Sequence, residues 1–280
     1  MSAGDRVCHL QELCFTKSVG YCQRPPWYVA GLVVMARHGV RWFFKLLDEE
    51  LAEWFWDDSG APPLEQLRAV RNPRSSENNR HIPVTAYSTT MAAHICLESG
   101  LEHDLLRRAD RDPAVRLIVA QPLRLVWPSA KSGFHSRINH TPDLLTADAN
   151  GTVTLWDVRG EDRWDDDFRT KVELTRHACQ DIGWRYELFT GLGSTERLNL
   201  LWLHGFRRRP AWAGRFEGQI RSAAAASGAT LGGLFALDDG TGGGISTAWH
   251  LLWRGDIAID MEAPMTERAP ITLGKAKTNG

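Results

Sequence analysis

The sequence predicts a mixed α/β (α+β) fold: a sheet flanked by two helices, set between a helical N-terminal block and a helical C-terminal module. Three observations carry this. Residues 115–120, 123–127, 144–147 and 152–158 are short apolar or alternating runs that read as strands. Asn150-Gly151, between the last two, is a strong hairpin signal. Phe168, Val172, Thr175, Cys179 and Ile182 recur at helical spacing through 165–182, so the order reads helix, three or four strands, helix, strand.

The elements follow in order. Residues 1–80 form the first block, in which 40–56 carries apolar residues at 43, 44, 46, 47, 51, 54 and 55, a helical period with acids along the other side. Trp27, Trp42, Trp54 and Trp56 would pack a small helical core there. Residues 57–63 break that helix, and the polar stretch 71–80 reads as a linker. The second block, 81–190, starts with a helix over 92–109 and ends with an alternating strand over 185–190. Its second helix opens on Asp165, Asp166 and Asp167, as the helix dipole favours, and closes on Gly183. The third block, 191–280, has helical segments at 197–206, 212–226 and 245–253 and a strand or wing at 257–273, while 232–244 is too glycine-rich to place. Three short helices and a terminal ribbon resemble a winged-helix module.

Composition bounds the function. The 280 residues are 43% hydrophobic and 24% charged, which excludes a disordered, collagen-like or membrane-spanning chain. Lys+Arg at 33 against Asp+Glu at 34 excludes a globally basic nucleic-acid binder but leaves room for a local basic face, and Arg supplies 27 of the 33. That face is Arg207, Arg208, Arg209, Arg215 and Arg221, candidates for DNA or partner contact against the plainer reading of a solvated helix face. Five cysteines without regular spacing do not form a disulfide framework, and Cys8, Cys14 and Cys22 with His9 match no zinc knuckle. With Asp5 and Glu12 near the start, no basic-then-apolar leader and a longest apolar run, 27–36, about half a membrane span, the expected location is cytoplasmic.

Chemistry concentrates in the second block. On a helix through 97–109, Glu98 and Glu102 fall inside the arc of Leu101, Leu105, Leu106 and Ala109. A buried carboxylate must meet an Arg, a backbone cap or a metal, unless the helix end simply lets both glutamates reach water. With the turn at Asn150-Gly151, residues summing to about 300 to 302 face each other, so Asp143 lies opposite Asp157 or Arg159. Residues 157 and 159 share a strand face, so two acids and a cation converge. A surface hairpin laced with salt bridges would use the same residues. Pro142 suits a strand's first residue and leaves Asp143 at a boundary, able to reach a cleft.

Six motifs in order, E-S-x-L-E-x-D (98–104), D-P-A-V (112–115), Q-P (121–122), T-P-D-L-L (141–145), D-V-R (157–159) and C-x-x-x-G-W (179–184), resemble the TnsA endonuclease family. That family supplies the nuclease subunit of heteromeric cut-and-paste transposases and has the PD-(D/E)xK restriction-endonuclease-like fold. The resemblance spans about 81–190, and the helix-plus-ribbon tail is similar to the family's winged-helix domain.

The resemblance implies a mixed sheet flanked by helices and a Mg²⁺-dependent endonuclease, with Mn²⁺ as substitute, hydrolysing phosphodiesters at the 5′ ends of a mobile element. Its partners would be double-stranded DNA at the transposon ends, a DDE-type transposase subunit that cuts and joins the 3′ ends, and an AAA+ ATPase regulator. Residue by residue, it makes Glu102, Asp143 and Asp157 the metal ligands and catalytic carboxylates, with Glu98 and Gln121 supporting. Arg159 stands where the family carries Lys. Arg stays charged, so Arg159 could steady a phosphoryl charge but not act as base. Two alternatives remain: a catalytically degenerate nuclease fold kept as an architectural subunit of the same complex, and a stand-alone restriction or repair nuclease.

Overall fold

The computed structural model describes residues 39–47, 49–71, 83–128 and 137–274. They form mixed α/β layers, in the order β1 (Arg41–Leu46), β2 (Ala52–Trp54), α1 (Trp56–Ser59), β3 (Leu67–Arg68), β4 (Val84–Ser88), β5 (Ala93–Leu97), α2 (Gly100–Arg111), β6 (Val115–Ala120), β7 (Leu123–Pro128), β8 (Arg137–His140), β9 (Leu144–Asp148), β10 (Val153–Val158), α3 (Asp166–Asp181) and β11 (Arg185–Phe189). Helices α4 (Ser194–His204), α5 (Ala213–Ala224), α6 (Leu231–Phe235) and α7 (Gly243–Trp253) follow, then an antiparallel ribbon of β12 (Ile257–Ile259) and β13 (Ile271–Leu273).

A four-stranded sheet ordered β11-β10-β9-β6 positions the chemistry. Its β9–β10 hairpin turns at Gly151, whose φ of +82° suits a residue without Cβ, and the register pairs Val153 with Ala147 and Trp156 with Leu144. The next pair outward is Asp143 and Asp157. Helix α3 then crosses over so that β11 runs parallel to β10, with Leu155 beside Tyr186 and Asp157 beside Leu188. The side chain of Asp165 caps α3 by accepting from the Phe168 N–H at 2.7 Å, and Gly183 at φ +75° follows its end.

Strand β6 is buried on both faces because the sheet is covered on both. Leu105, Leu106 and Ala109 of α2 pack with Ile95 and Leu97 of β5 against Ile118, Ala120 and Leu144. On the other face, Leu117, Val119, Leu145 and Leu155 meet Phe168, Val172 and Cys179 of α3 and the inner residues of a second sheet, β2-β1-β7-β8 with β3 on β1. Strands β6 and β7, separated only by Gln121 and Pro122, therefore belong to different sheets, where a single sheet is expected. Gln121, a non-glycine residue at φ +46°, makes the turn between them.

Two expected helices are corrected. Residues 40–56 form strands, because Trp42 and Phe44 point inward and Arg41 outward with a period of two, and bulky aromatics suit a half-buried pleat. Strand β1 pairs with β7, Phe44 opposite Leu123, so this part of the first block is built into the second sheet. Trp42, Trp54 and Trp56 do join one aromatic cluster, with Phe44 and Trp184. Trp27 and the Cys8, Cys14, Cys22 and His9 group lie outside the described residues. Of the helix expected over 92–109, residues 93–97 are the second strand of a hairpin with β4, and the helix proper starts at Gly100 behind Ser99.

The C-terminal helices close on their own core of Leu200, Leu203, Phe216, Ile220, Leu251 and Trp253, with Ile257 and Ile271 from the ribbon. The glycine-rich stretch 232–244 holds most of α6 and a loop gathered by Asp238, whose carboxylate accepts backbone N–H groups from Gly240, Gly242 and Gly244. No helix among the described residues is long and apolar enough to cross a membrane.

Candidate functional site

The site lies where β9 begins, β10 ends and α2 starts. Asp143, just before β9, keeps part of its surface exposed, but its carboxyl is enclosed and its Oδ2 accepts the Val158 N–H at 2.7 Å. Asp157 faces it from the end of β10 and is 1% exposed. Two side chains donate to its Oδ2: His140 Nε2 at 2.8 Å and the Tyr186 hydroxyl. Each aspartate thus has one oxygen engaged by the protein. Neither Asp143 Oδ1 nor Asp157 Oδ1 has a hydrogen-bond partner among the described residues.

Burial pushes the Asp143 carboxyl well above the usual carboxylate range, and the charges of Asp157, Glu102 and Glu98 push it further. The Val158 N–H works in the other direction. Asp143 has three acids near it and forms no ion pair among the described residues, while Asp157 has His140 beside it.

Glu102 is a cap. Ser99, the N-cap of α2, accepts the Glu102 N–H at 3.2 Å and donates its hydroxyl to Glu102 Oε1 at 2.9 Å, while the Glu98 N–H donates to Oε2 at 2.8 Å. The S-x-x-E sequence is a capping box, with both carboxyl oxygens engaged. Burial raises the Glu102 carboxyl, against the pull of those two donors. Glu98 sits ahead of the helix rather than on its apolar arc. Its Oε1 accepts from Gln121 Nε2 at 2.8 Å and its Oε2 from Arg71 at 3.0 Å. Gln121, 1% exposed, also donates its backbone N–H to the Asp143 carbonyl at 2.8 Å, so the strained turn fixes the backbone from which Asp143 projects.

Arg159 leaves the carboxylates. Its guanidinium pairs with Asp165 Oδ2 at 3.0 Å and lies 4.6 Å over the Phe168 ring, at the start of α3. The expected meeting of two acids and a cation is therefore two acids alone, with the cation one helix cap away. The expected three-carboxylate ligand set is not assembled either: among the described residues, no three or more His, Cys, Asp or Glu side chains are grouped to hold a metal ion. The reason is physical, since Glu102 spends both oxygens on the helix terminus. Asp143 and Asp157 do fit a hard cation, because Mg²⁺ typically takes one or two carboxylates and keeps the rest of its shell for water and phosphate. An enclosed pair of aspartates with one unpartnered oxygen each supplies that set.

The five C-terminal arginines are dispersed. Arg209 pairs with Glu217 at 3.0 Å, Arg215 with Asp239 at 2.8 Å and Arg221 with the buried Asp256 at 3.0 Å, where Arg254 also binds. Arg207 donates to the His204 carbonyl, and Arg208 is exposed.

The sequence pattern gives no signal for His140, Tyr186 or Arg71 at this site. His140 stands three residues before Asp143, and Tyr186 reaches Asp157 diagonally across the parallel β10–β11 pair. Only that non-local pairing reveals the second. Comparison with protein-family models gives no match, and comparison with curated protein sequences gives none.

Proposed function

We propose that the chain is the metal-dependent DNA endonuclease subunit of a heteromeric transposase, with a restriction-endonuclease-like core of the kind its motifs resemble. The observation that carries this reading is the Asp143–Asp157 pair, two enclosed carboxylates facing across a hairpin end with mutually unfavourable charge and one unpartnered oxygen each. The order α2, β6, β9, β10, α3, β11 around that hairpin supports it. A protein gains nothing in stability from such a pair; a divalent cation gives it a purpose.

Asp143 and Asp157 would hold Mg²⁺ or Mn²⁺. The ion supplies a water activated at neutral pH and relief of charge on the phosphoryl oxygens. Gln121 anchors the Asp143 backbone, Glu98 anchors Gln121, and Glu102 holds the helix end that closes the site while adding to its negative field. Arg159 meets the DNA phosphate by exchanging Asp165 for it. An exposed ion pair is worth only about 0 to 1 kcal/mol, so the exchange is cheap. Arg159 stabilises charge and takes no proton.

The C-terminal helices and ribbon serve as a winged-helix-like module toward DNA or the DDE-type transposase. Arg208, Arg209 and Arg215 are exposed members of the basic cluster; Arg209 and Arg215 need only release surface pairs and Arg207 a carbonyl, whereas Arg221 is held by the buried Asp256. An AAA+ regulator completes the assembly, and the setting is cytoplasmic.

The second reading, an architectural subunit without chemistry, is favoured by one observation: Arg159 is docked on Asp165 and Phe168, away from the carboxylates. Nicking of transposon-end DNA with the partner transposase, in Mg²⁺ and in EDTA, separates the two. The nuclease reading expects 5′-end cleavage in Mg²⁺ only, lowered about 10²- to 10³-fold by Arg159→Ala and kept by Arg159→Lys. No cleavage by the complete assembly leaves the architectural reading.

A further inference from the structure

We propose that His140 and Tyr186 are positioning residues that fix Asp157 for cation binding, by seizing one carboxyl oxygen and leaving the other as the single atom this residue offers. The inference rests on the nuclease reading of the Asp143–Asp157 pair and deepens it.

The geometry is specific. His140 Nε2 and the Tyr186 hydroxyl come from strands in different sheets, β8 and β11, yet both donate to the same atom, Asp157 Oδ2. A carboxylate held only for stability could spread its two donors over both oxygens, as Asp110 does with Ser88 and Thr89. At Asp157 the donors are stacked on one side. The carboxyl plane is thereby locked against rotation, and Oδ1 is left without a partner among the described residues. Asp143 repeats the arrangement, with its Oδ2 on the Val158 N–H.

Tyr186 is suited to a fixed donor. Its ring is buried beside Asp157 and its hydroxyl donates directly to Oδ2. His140 is mostly enclosed, with its Nε2 at 2.8 Å from Asp157 Oδ2. Partners that orient a ligating carboxylate in this way typically change metal affinity about 10- to 100-fold when removed.

The test is Mn²⁺ binding to the full-length chain by calorimetry, with no DNA and no turnover. Tyr186→Phe keeps the ring and removes only the donor; it should weaken Mn²⁺ binding about 10-fold or more while near-ultraviolet dichroism stays that of the wild type. His140→Ala should do the same, and His140→Gln, whose amide restores a donor at similar reach, should recover most of the loss. Wild-type affinity in both Tyr186→Phe and His140→Ala, with melting temperature alone reduced, overturns the proposal and leaves the cation site standing. Absence of Mn²⁺ binding by the wild type overturns the cation site itself, and the positioning role with it.

Discussion

Asp110 and Asp143 are two enclosed carboxylates beside the same four-stranded sheet, and their surroundings are opposite. Asp110, on α2, is 2% exposed and accepts from the Ser88 hydroxyl, the Thr89 N–H and hydroxyl, and the Thr90 N–H at 2.6 to 2.9 Å. Those donors overcome burial and hold its carboxyl below the usual range. Asp143 has one backbone donor and three acids around it, and its carboxyl is driven up. The first is a brace pinning the β4–β5 turn to α2. The second is a charge the fold leaves unbalanced, and buried polar groups left so are where function is sought.

The sharpest way to break this contrast is Asp143→Asn. Cleavage should fall by about 10³ or more, since this change weakens cation binding as well as transition-state stabilisation. Stability should move the other way. The folded value of Asp143 lies above its ordinary 3.8, so the native state holds the proton to higher pH than the unfolded chain does. Its stability contribution is present below about 3.8 and is lost as pH rises through the folded value. Without metal, Asp143→Asn should therefore melt at or above the wild-type temperature at neutral pH, and the gap should close toward pH 4. Mn²⁺ should raise the melting point of the wild type and not of the variant. A variant that melts lower at neutral pH without metal would show that Asp143 is another brace.

Asp110→Ala is the counterpart. It strands the donors of Ser88, Thr89 and Thr90, at about 1 to 3 kcal/mol for each group left buried and unpaired. A loss of about 3 kcal/mol, roughly 10 °C in a chain of this size, is expected at neutral pH. Because the folded value of Asp110 lies below 3.8, its contribution is present above 3.8 and fades as pH falls through the folded value. The deficit should shrink in strong acid, as melting curves across pH can show. The refolded variant should still bind Mn²⁺. Loss of Mn²⁺ binding with the fold intact would erase the distinction between the two acids.

Half of this contrast is legible in the sequence. Asn150-Gly151 marks the hairpin, so residue numbers narrow the partner of Asp143 to Asp157 or Arg159 and the observed register selects Asp157, while α3 follows from its acidic start and glycine end. Residues 40–56 are not legible in the same way, because clustered aromatics satisfy a period of 3.6 and a period of two alike. Whether Trp42 and Phe44 share a face is decided by pairing with β7, about 80 residues away. The departure of β7 from β6 into another sheet hangs on one left-handed residue, Gln121, that carries no glycine signal. Arg159 leaves β10 on the expected side, but its partner Asp165 belongs to the cap of the next helix, and a strand-face argument does not reach that far.

Glu102 offers the smallest expected effect and the finest discrimination. The S-x-x-E pattern of Ser99 to Glu102 names a capping box, whereas the family motif names the same glutamate a metal ligand. Gln serves in a capping box as Glu does, but it is a far poorer ligand for a hard cation. Glu102→Gln should thus cost at most about 1 kcal/mol of stability and leave cleavage within a few-fold of wild type, whereas Glu102→Ala should lose about 1 kcal/mol through the cap. The charge argument agrees, because burial already disfavours the ionised form of Glu102 and the neutral amide removes a negative neighbour of Asp143. The Asp143 carboxyl should therefore ionise slightly more readily in Glu102→Gln, moving the acid limb of the cleavage profile to lower pH. A 10²-fold loss in Glu102→Gln would put a third carboxylate on the cation, and α2 would have to release its own N-terminus to supply it.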